Sequence, residues 1–163
     1  MRPLALLLAF ALLPSPDGAA SVTVDGDPAV TFDDGHAYVL RMDGFGVLAL
    51  ATAPLEGGVW AVPNDAPFAY VEVRVFGGVR EGEVALGDGA SVVPMRWGPG
   101  GAQVDDAPAY VDSGGTLTFT AVTDSLVTGT MEGTLTRFDA DGTETQAPFE
   151  ASFRAVPGQI PPP

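Results

Sequence analysis

Three carboxylates stand close together near the end of the chain: Asp139, Asp141 and Glu144, around Gly142, in RFDADGTETQ. Acidic oxygens grouped around a glycine suggest a calcium loop, in which hard ligands wrap a cation and the glycine makes the sharp turn. The spacing argues against it. In a helix–loop–helix calcium loop the glycine takes the sixth place of twelve, which would put Arg137 first and Pro148 last, and neither is a ligand. Tandem calcium repeats need several copies, and the chain has one.

The flanking residues predict a turn instead. In LVTGTMEGTLTRF (126–138), Val127, Met131 and Leu135 are apolar with Gly129 and Gly133 between them, while Thr128, Thr130, Glu132, Thr134 and Thr136 are polar. Phe149, Ala151, Phe153 and Ala155 alternate with Glu150, Ser152 and Arg154. A period of two marks strands with one buried face, here the odd-numbered one in both. Residues opposed in a hairpin share a face, so the loop must hold an odd number of residues. The loop Ala140-Asp141-Gly142 meets that condition. It sets Met131 opposite Ala151 and Gly133 opposite Phe149. Asp139 then opens a type I turn and accepts loop N–H groups, and Gly142 supplies the positive φ. The same register places Glu132 directly opposite Glu150 on the solvent face. Opposed like charges on a sheet are mildly destabilising. They can also hold a cation or share a proton, and the sequence leaves both readings open.

Other chemistries lack parts. His36 is the only histidine and there is no cysteine, so zinc and iron–sulfur sites have no ligand set. A Ser-His-Asp triad would have to use His36, which follows Asp33-Asp34-Gly35 and reads as a solvated turn residue. A pair of acids for glycoside hydrolysis carries no weight among twenty-one Asp and Glu. Trp60 in VWAV and Trp97 in VVPMRW sit in strand contexts that favour a place in the core over a sugar-stacking platform. Arg41 and Arg96 are expected to project outward or to pair with acids. No catalytic residue, metal ligand or cofactor is assigned.

These groups sit in a chain of 163 residues, the length of one domain. The first twenty read as a signal peptide: Arg2 as the positive end, Leu4–Leu13 as the apolar stretch, and Gly18-Ala19-Ala20 before a cut at Ser21. Ten apolar residues are too few to span a bilayer. The expected organisation is a signal peptide at 1–20, a domain at 21–156 and a loose proline-rich tail at 157–163. Without cysteine there is neither a lipid attachment residue nor a disulfide, so a secreted or periplasmic protein is expected that stands on its core alone. Seven arginines and no lysine face fourteen Asp and seven Glu, for a net charge of −14. Such a field repels phosphate backbones and anionic membranes, so nucleic acid is not an expected partner.

Short β-rich runs recur from Ser21 to Val156, among them SVTV (21–24), AVTF (29–32), HAYVLRM (36–42), GVLALA (46–51), VWAV (59–62), FAYVEVRVF (68–76) and GEVAL (82–86). Asp-Gly turns at 25–26, 34–35, 43–44, 88–89 and 141–142 separate some of them. The pattern predicts an all-β fold, a single antiparallel sandwich or flattened barrel of about nine to eleven short strands. Ala-Tyr-Val occurs at 37–39, 69–71 and 109–111, but unequal spacing and unlike flanks argue for three strands rather than a repeat.

Gly115-Thr116-Leu117-Thr118-Phe119, then Val127-Thr128-Gly129-Thr130-Met131-Glu132-Gly133-Thr134-Leu135, and Phe149 to Phe153, with Gly82-Glu83-Val84-Ala85-Leu86 upstream, carry a resemblance. Over 82–156 the chain resembles small secreted or lipoprotein β-rich domains of unknown function from Bacteroidota-type bacteria. It departs from them in lacking the lipobox cysteine. The resemblance implies export and a β fold, and no substrate. The expected function is a non-enzymatic extracytoplasmic binding or structural module that meets an unidentified ligand or protein through loops at one end of its sheets. Two alternatives stand beside it. One is a calycin-like barrel holding a small apolar ligand among residues such as Trp60, Phe76 and Trp97. The other is an acid-based hydrolase with two converging carboxylates, one kept protonated by burial.

Overall fold

The computed structural model describes residues 18–55, 58–60, 68–98, 104 and 108–159. Nine strands make up the described fold, which is all-β: β1 (Ala19–Val24), β2 (Phe32–Met42), β3 (Phe45–Ala51), β4 (Phe68–Phe76), β5 (Gly82–Ala85), β6 (Ala90–Trp97), β7 (Ala109–Val122), β8 (Val127–Phe138) and β9 (Glu144–Pro157). They form one sheet in the order β5-β7-β8-β9-β1-β2-β3-β4-β6, antiparallel throughout except where the end of β9 runs parallel to β2 at Tyr38 and Val39. The sheet curls into a half-barrel rather than splitting into two separate sheets.

The strand β2 joins the two arms of the curl. Its first residues pair with β1 (Ala20 opposite Gly35), and residues 36–42 pair with β3. Inside the curl, Ala37, Val39, Leu48, Leu50, Val71 and Val73 from one arm meet Val22, Leu117, Phe119, Met131, Leu135 and Phe149 from the other in a single core. Leu48, Leu50, Leu117 and Leu135 are wholly buried, and burying such a side chain contributes about 1.5–3 kcal/mol.

The hairpin of β8 and β9 has the expected register, with Met131 opposite Ala151, Glu132 opposite Glu150 and Gly133 opposite Phe149. Its turn closes by Gly142 N–H donating to Asp139 O at 2.9 Å and Asp139 N–H donating to Thr143 O at 3.0 Å, with Gly142 at φ 83°. The odd-numbered glycines of β8 have a steric reason. A Cβ at Gly129 would lie 2.2 Å from Thr118 O and 2.6 Å from the ring of Phe153, its opposite number in β9. Glycine there lets the phenylalanine ring lie against the neighbouring strand, which draws the sheet into its curl.

In the arm of β2, β3, β4 and β6, the central strands β3 and β4 are buried on both faces over most of their length. Along β3, Val47 to Ala51 are all buried, the odd positions turned away from the barrel interior. There Val47, Ala49 and Ala51 join Leu40, Phe68 and Tyr70 in a second, outer cluster, closed by Leu55 and Val59. The reading of VWAV as a strand is corrected at Val59 and Trp60, which lie in a turn, while residues 61–67 are outside the described residues. Tyr70 fastens this cover, its hydroxyl donating to Val59 O at 2.7 Å. AVTF is corrected likewise, since residues 28–30 are a turn and only Phe32 enters β2.

The first and last strands reach into the segments expected to flank the domain. β1 begins at Ala19, so the expected cut before Ser21 falls inside a strand, with Ala20 buried opposite Phe153 of β9. Residues 1–17 are outside the described residues. At the other end, Pro157 lies opposite Val39, Gly158 N–H donates to Val39 O at 2.8 Å, and Val59 N–H donates to Gln159 O at 3.0 Å. The first residues of the expected tail are therefore tied to the sheet, because backbone groups beside β2 and Val59 need partners. Residues 160–163 lie outside the described residues. Among the described residues no helix is long and apolar enough to cross a membrane.

Candidate functional site

The densest polar chemistry lies where the margins of the curled sheet approach each other. β5 pairs only with residues 116–119 of β7, and Leu86 N–H reaches Gly115 O. Among the described residues, positions 109–114 of β7 pair with β8 alone. The edge strand β6 faces this stretch. Pro94, which has no N–H to donate, sits on that edge strand as expected for proline in a sheet.

The turn after β1 closes this end. Asp27 N–H donates to Val24 O, Val30 N–H donates to Asp27 O, and Ala29 N–H donates to Asp27 Oδ1 at 3.1 Å. The sequence Asp-Gly-Asp-Pro builds this geometry locally, since an aspartate commonly accepts from the backbone two residues on. The turn carries the Asp27 carboxylate inward, where only 5% of the residue stays exposed. There Tyr110 from β7 donates its hydroxyl to Oδ2 at 2.7 Å, and Arg96 from β6 places Nη1 3.9 Å from Oδ1. One carboxylate thus ties together the two facing margins.

Burial first, and then the Asp27 carboxylate, push the Tyr110 phenol well above its ordinary value, so it is a donor across the physiological range. Arg137 of β8 supports the same turn, with Nη1 donating to Gly26 O at 2.9 Å and Nε 3.1 Å from the Asp139 carboxylate. Between β6 and the start of β7 opens a slot of about 230 Å³, lined by Val30, Pro94, Met95, Arg96, Pro108 and Tyr110 among others.

The residues singled out from the sequence are mostly dispersed. Asp139 does not accept the loop N–H groups; its carboxylate turns to Arg137. Asp141 takes that role, accepting from Thr143 N–H at 2.9 Å, and this bond holds its carboxyl below the usual range. Glu144 stands opposite Phe138 and is exposed. Glu132 and Glu150 are both exposed and share a shallow depression with Ser21, Thr23, Thr130 and Ser152. Among the described residues, no three His, Cys, Asp or Glu come together as a metal site.

His36 lies in β2 opposite Ala51 and not in a turn, because Asp33-Asp34-Gly35 continue the strand beside β1. Its Nδ1 is buried without a hydrogen-bond partner, so no carboxylate orients the ring through that atom. Arg41 donates to Thr123 O, while Arg96 pairs with an acid.

Trp60 is 44% exposed and so is not the core residue expected, while Trp97 packs against the outer cluster. Phe76 is 52% exposed and lies against Phe45 with ring centroids 6.0 Å apart. Trp97 pairs with Phe68, at the other end of β4 from Phe76, a separation of about 27 Å along the strand. These aromatics therefore do not gather around one cavity. The buried acids do not converge either: Glu72 lies on the outer face of β4 beside Arg74, and Asp27 lies at the inner end of the curl.

Asp27, Tyr110 and Arg137 were not legible as a site. A usable signal was the Asp-Pro dipeptide at 27–28, which favours a side-chain-capped turn. Ala-Tyr-Val also separates into two kinds. Tyr70 faces the outer cluster and Tyr110 the inner core, so these copies are not structurally equivalent. No family model, curated protein or solved structure matches the chain.

Proposed function

We propose that the chain is a non-enzymatic extracytoplasmic binding module that meets its ligand at the end of the half-barrel, in the slot between β6 and β7. The observation that carries this reading is the meeting of Asp27, Arg96 and Tyr110 beside that slot, while the interior of the curl is filled by Leu48, Leu50, Leu117 and Leu135. Export rests on the sequence alone: Arg2, the apolar run Leu4–Leu13 and the small residues 18–20. A net charge of −14 favours partners other than nucleic acids.

A fragment screen by protein NMR tests the reading. Fragments of several charge classes are titrated while the signals of Arg96, Tyr110 and Ala109 are followed. Saturable shifts at these residues support it. Saturable shifts confined to the Glu132–Glu150 face, or none anywhere, overturn it.

A further inference from the structure

Among the described side chains that line the slot between β6 and β7, that of Arg96 has bonding capacity that is not used. A guanidinium carries five N–H donors in a fixed fork. That of Arg96 makes no hydrogen bond among the described residues, and its one ionic contact is Asp27 at 3.9 Å, beyond hydrogen-bond range. Asp27 is otherwise engaged, Oδ1 by Ala29 N–H and Oδ2 by the Tyr110 hydroxyl. Arg96 thus has its charge partly balanced and its donors unfilled, with about a quarter of its side chain exposed. The guanidinium of a side chain that is three-quarters buried, at the wall of the slot, favours an acceptor that can take two parallel N–H bonds, and a carboxylate does so best.

The remaining lining limits the rest of the ligand. The side chains of Val30, Val93, Pro94, Met95, Pro108 and Ala109 are apolar, and the Tyr110 hydroxyl is engaged with Asp27, so the lining side chains favour an apolar group away from the carboxylate. At about 30 Å³ for each water-sized group, a slot of about 230 Å³ accommodates about six to eight non-hydrogen atoms. That is the size of a monocarboxylic acid of four to six carbons. The net charge of −14 opposes any anion at long range, so binding must come from contact within the slot.

We propose that the slot between β6 and β7 binds a short-chain monocarboxylate, with its carboxylate on the Arg96 guanidinium and its alkyl chain against Pro94, Met95 and Pro108. This rests on the reading of the slot as the binding site and adds the chemistry of its ligand.

Isothermal titration and thermal shift of the purified protein with butyrate and hexanoate, beside butyramide and hexanamide, test it. The amides keep the chain and one acceptor oxygen and lose the charge. Both acids should bind and raise Tm, with the amides at least about tenfold weaker, because hydrogen bonds to charged groups are about twice as strong as neutral ones. Arg96→Gln should reduce acid binding to the amide level, while Arg80→Gln, at an exposed arginine away from the slot, should leave it unchanged. Equal binding of acids and amides would sink the carboxylate assignment and leave the slot as a binding site. An equal loss in Arg80→Gln would mark the binding as non-specific and overturn the proposal. Should no acid bind, the assignment falls; should the NMR fragment screen also leave Arg96 and Tyr110 unmoved, the binding-site reading falls with it. If Arg96→Gln fails to fold, the acid–amide contrast on the unaltered protein still decides.

Discussion

The two arms of the curled sheet solve the same burial problem differently. In the arm of β7, β8, β9 and β1, each strand shows one face to the core and one to solvent: Met131 and Leu135 are buried while Thr130 and Glu132 between and beside them are exposed. In the other arm, β3 and most of β4 are covered on both faces, so that Leu48 and its neighbours Val47 and Ala49 are equally buried. A strand with one wet face records its orientation in alternation. A strand between two apolar layers loses that record and needs a cover, to which Leu55 and Val59, outside the strands, contribute here.

The largest effect is expected where the wet-faced arm depends on glycine. Gly129→Val places new atoms against Thr118 O and the ring of Phe153, and the backbone contact cannot be relieved by a rotamer change. It should cost about 3 kcal/mol or more, read as a fall in urea midpoint or failure to fold. Near-normal stability would show that the glycines do not set the curl.

The two-sided burial of the other arm is tested by Val47→Ala against Thr130→Ala. Val47 is on an outer face that would be harmless to truncate in a one-layer sheet; here the loss should be about 2 kcal/mol. Thr130 is exposed, and its truncation should stay within about 0.5 kcal/mol. Equal, small effects would mean that the cover contributes nothing.

Tyr110→Phe, at the junction of the arms, leaves Asp27 Oδ2 without its donor and should cost about 1–3 kcal/mol by denaturant titration. The same residue has a pH signature. Its phenol, like that of Tyr70, is raised by burial above the value of about 10 held in the unfolded chain. Their stabilisation is therefore complete below pH about 10 and is lost as pH rises beyond it, because only the unfolded chain ionises readily. A Tm profile across that range should fall, and less steeply in Tyr110→Phe. An unchanged slope in the variant would refute a buried, protonated Tyr110.

The smallest effect belongs to the opposed acids of the wet face. Glu132→Gln removes a like-charge contact with Glu150 and should raise stability by a few tenths of a kcal/mol at low salt, with the gain vanishing at high salt. A loss of stability that divalent ions restore in the unaltered protein alone would make the pair a cation site instead.

How much of this was legible follows from the same contrast. The β8–β9 register, down to Glu132 facing Glu150, came from parity and one glycine, because both strands alternate and the turn is local. The run Val47–Ala51 announced a strand but could not say what covered its second face. Val59 in VWAV then misled, since an apolar residue that lies over a sheet reads like one within it. The Asp27 cluster was illegible for another reason. Its members lie at 27, 96 and 110, and only the curl of the sheet brings β6 and β7 to the turn after β1.

The position of β9 bears on the order of events during folding. The last strand lies in the middle of the sheet, between β8 and the first strand β1, and reaches across to β2. Until residues 144–157 have been synthesised, β8 and β1 present unpaired edges and the two ends of the chain have no contact through the sheet. Closure therefore depends on pairings of large sequence separation, such as Ala19 with Arg154, a topology that folds slowly and late. A chain cut short after Thr143 is accordingly expected to yield an aggregating fragment and not a smaller stable domain.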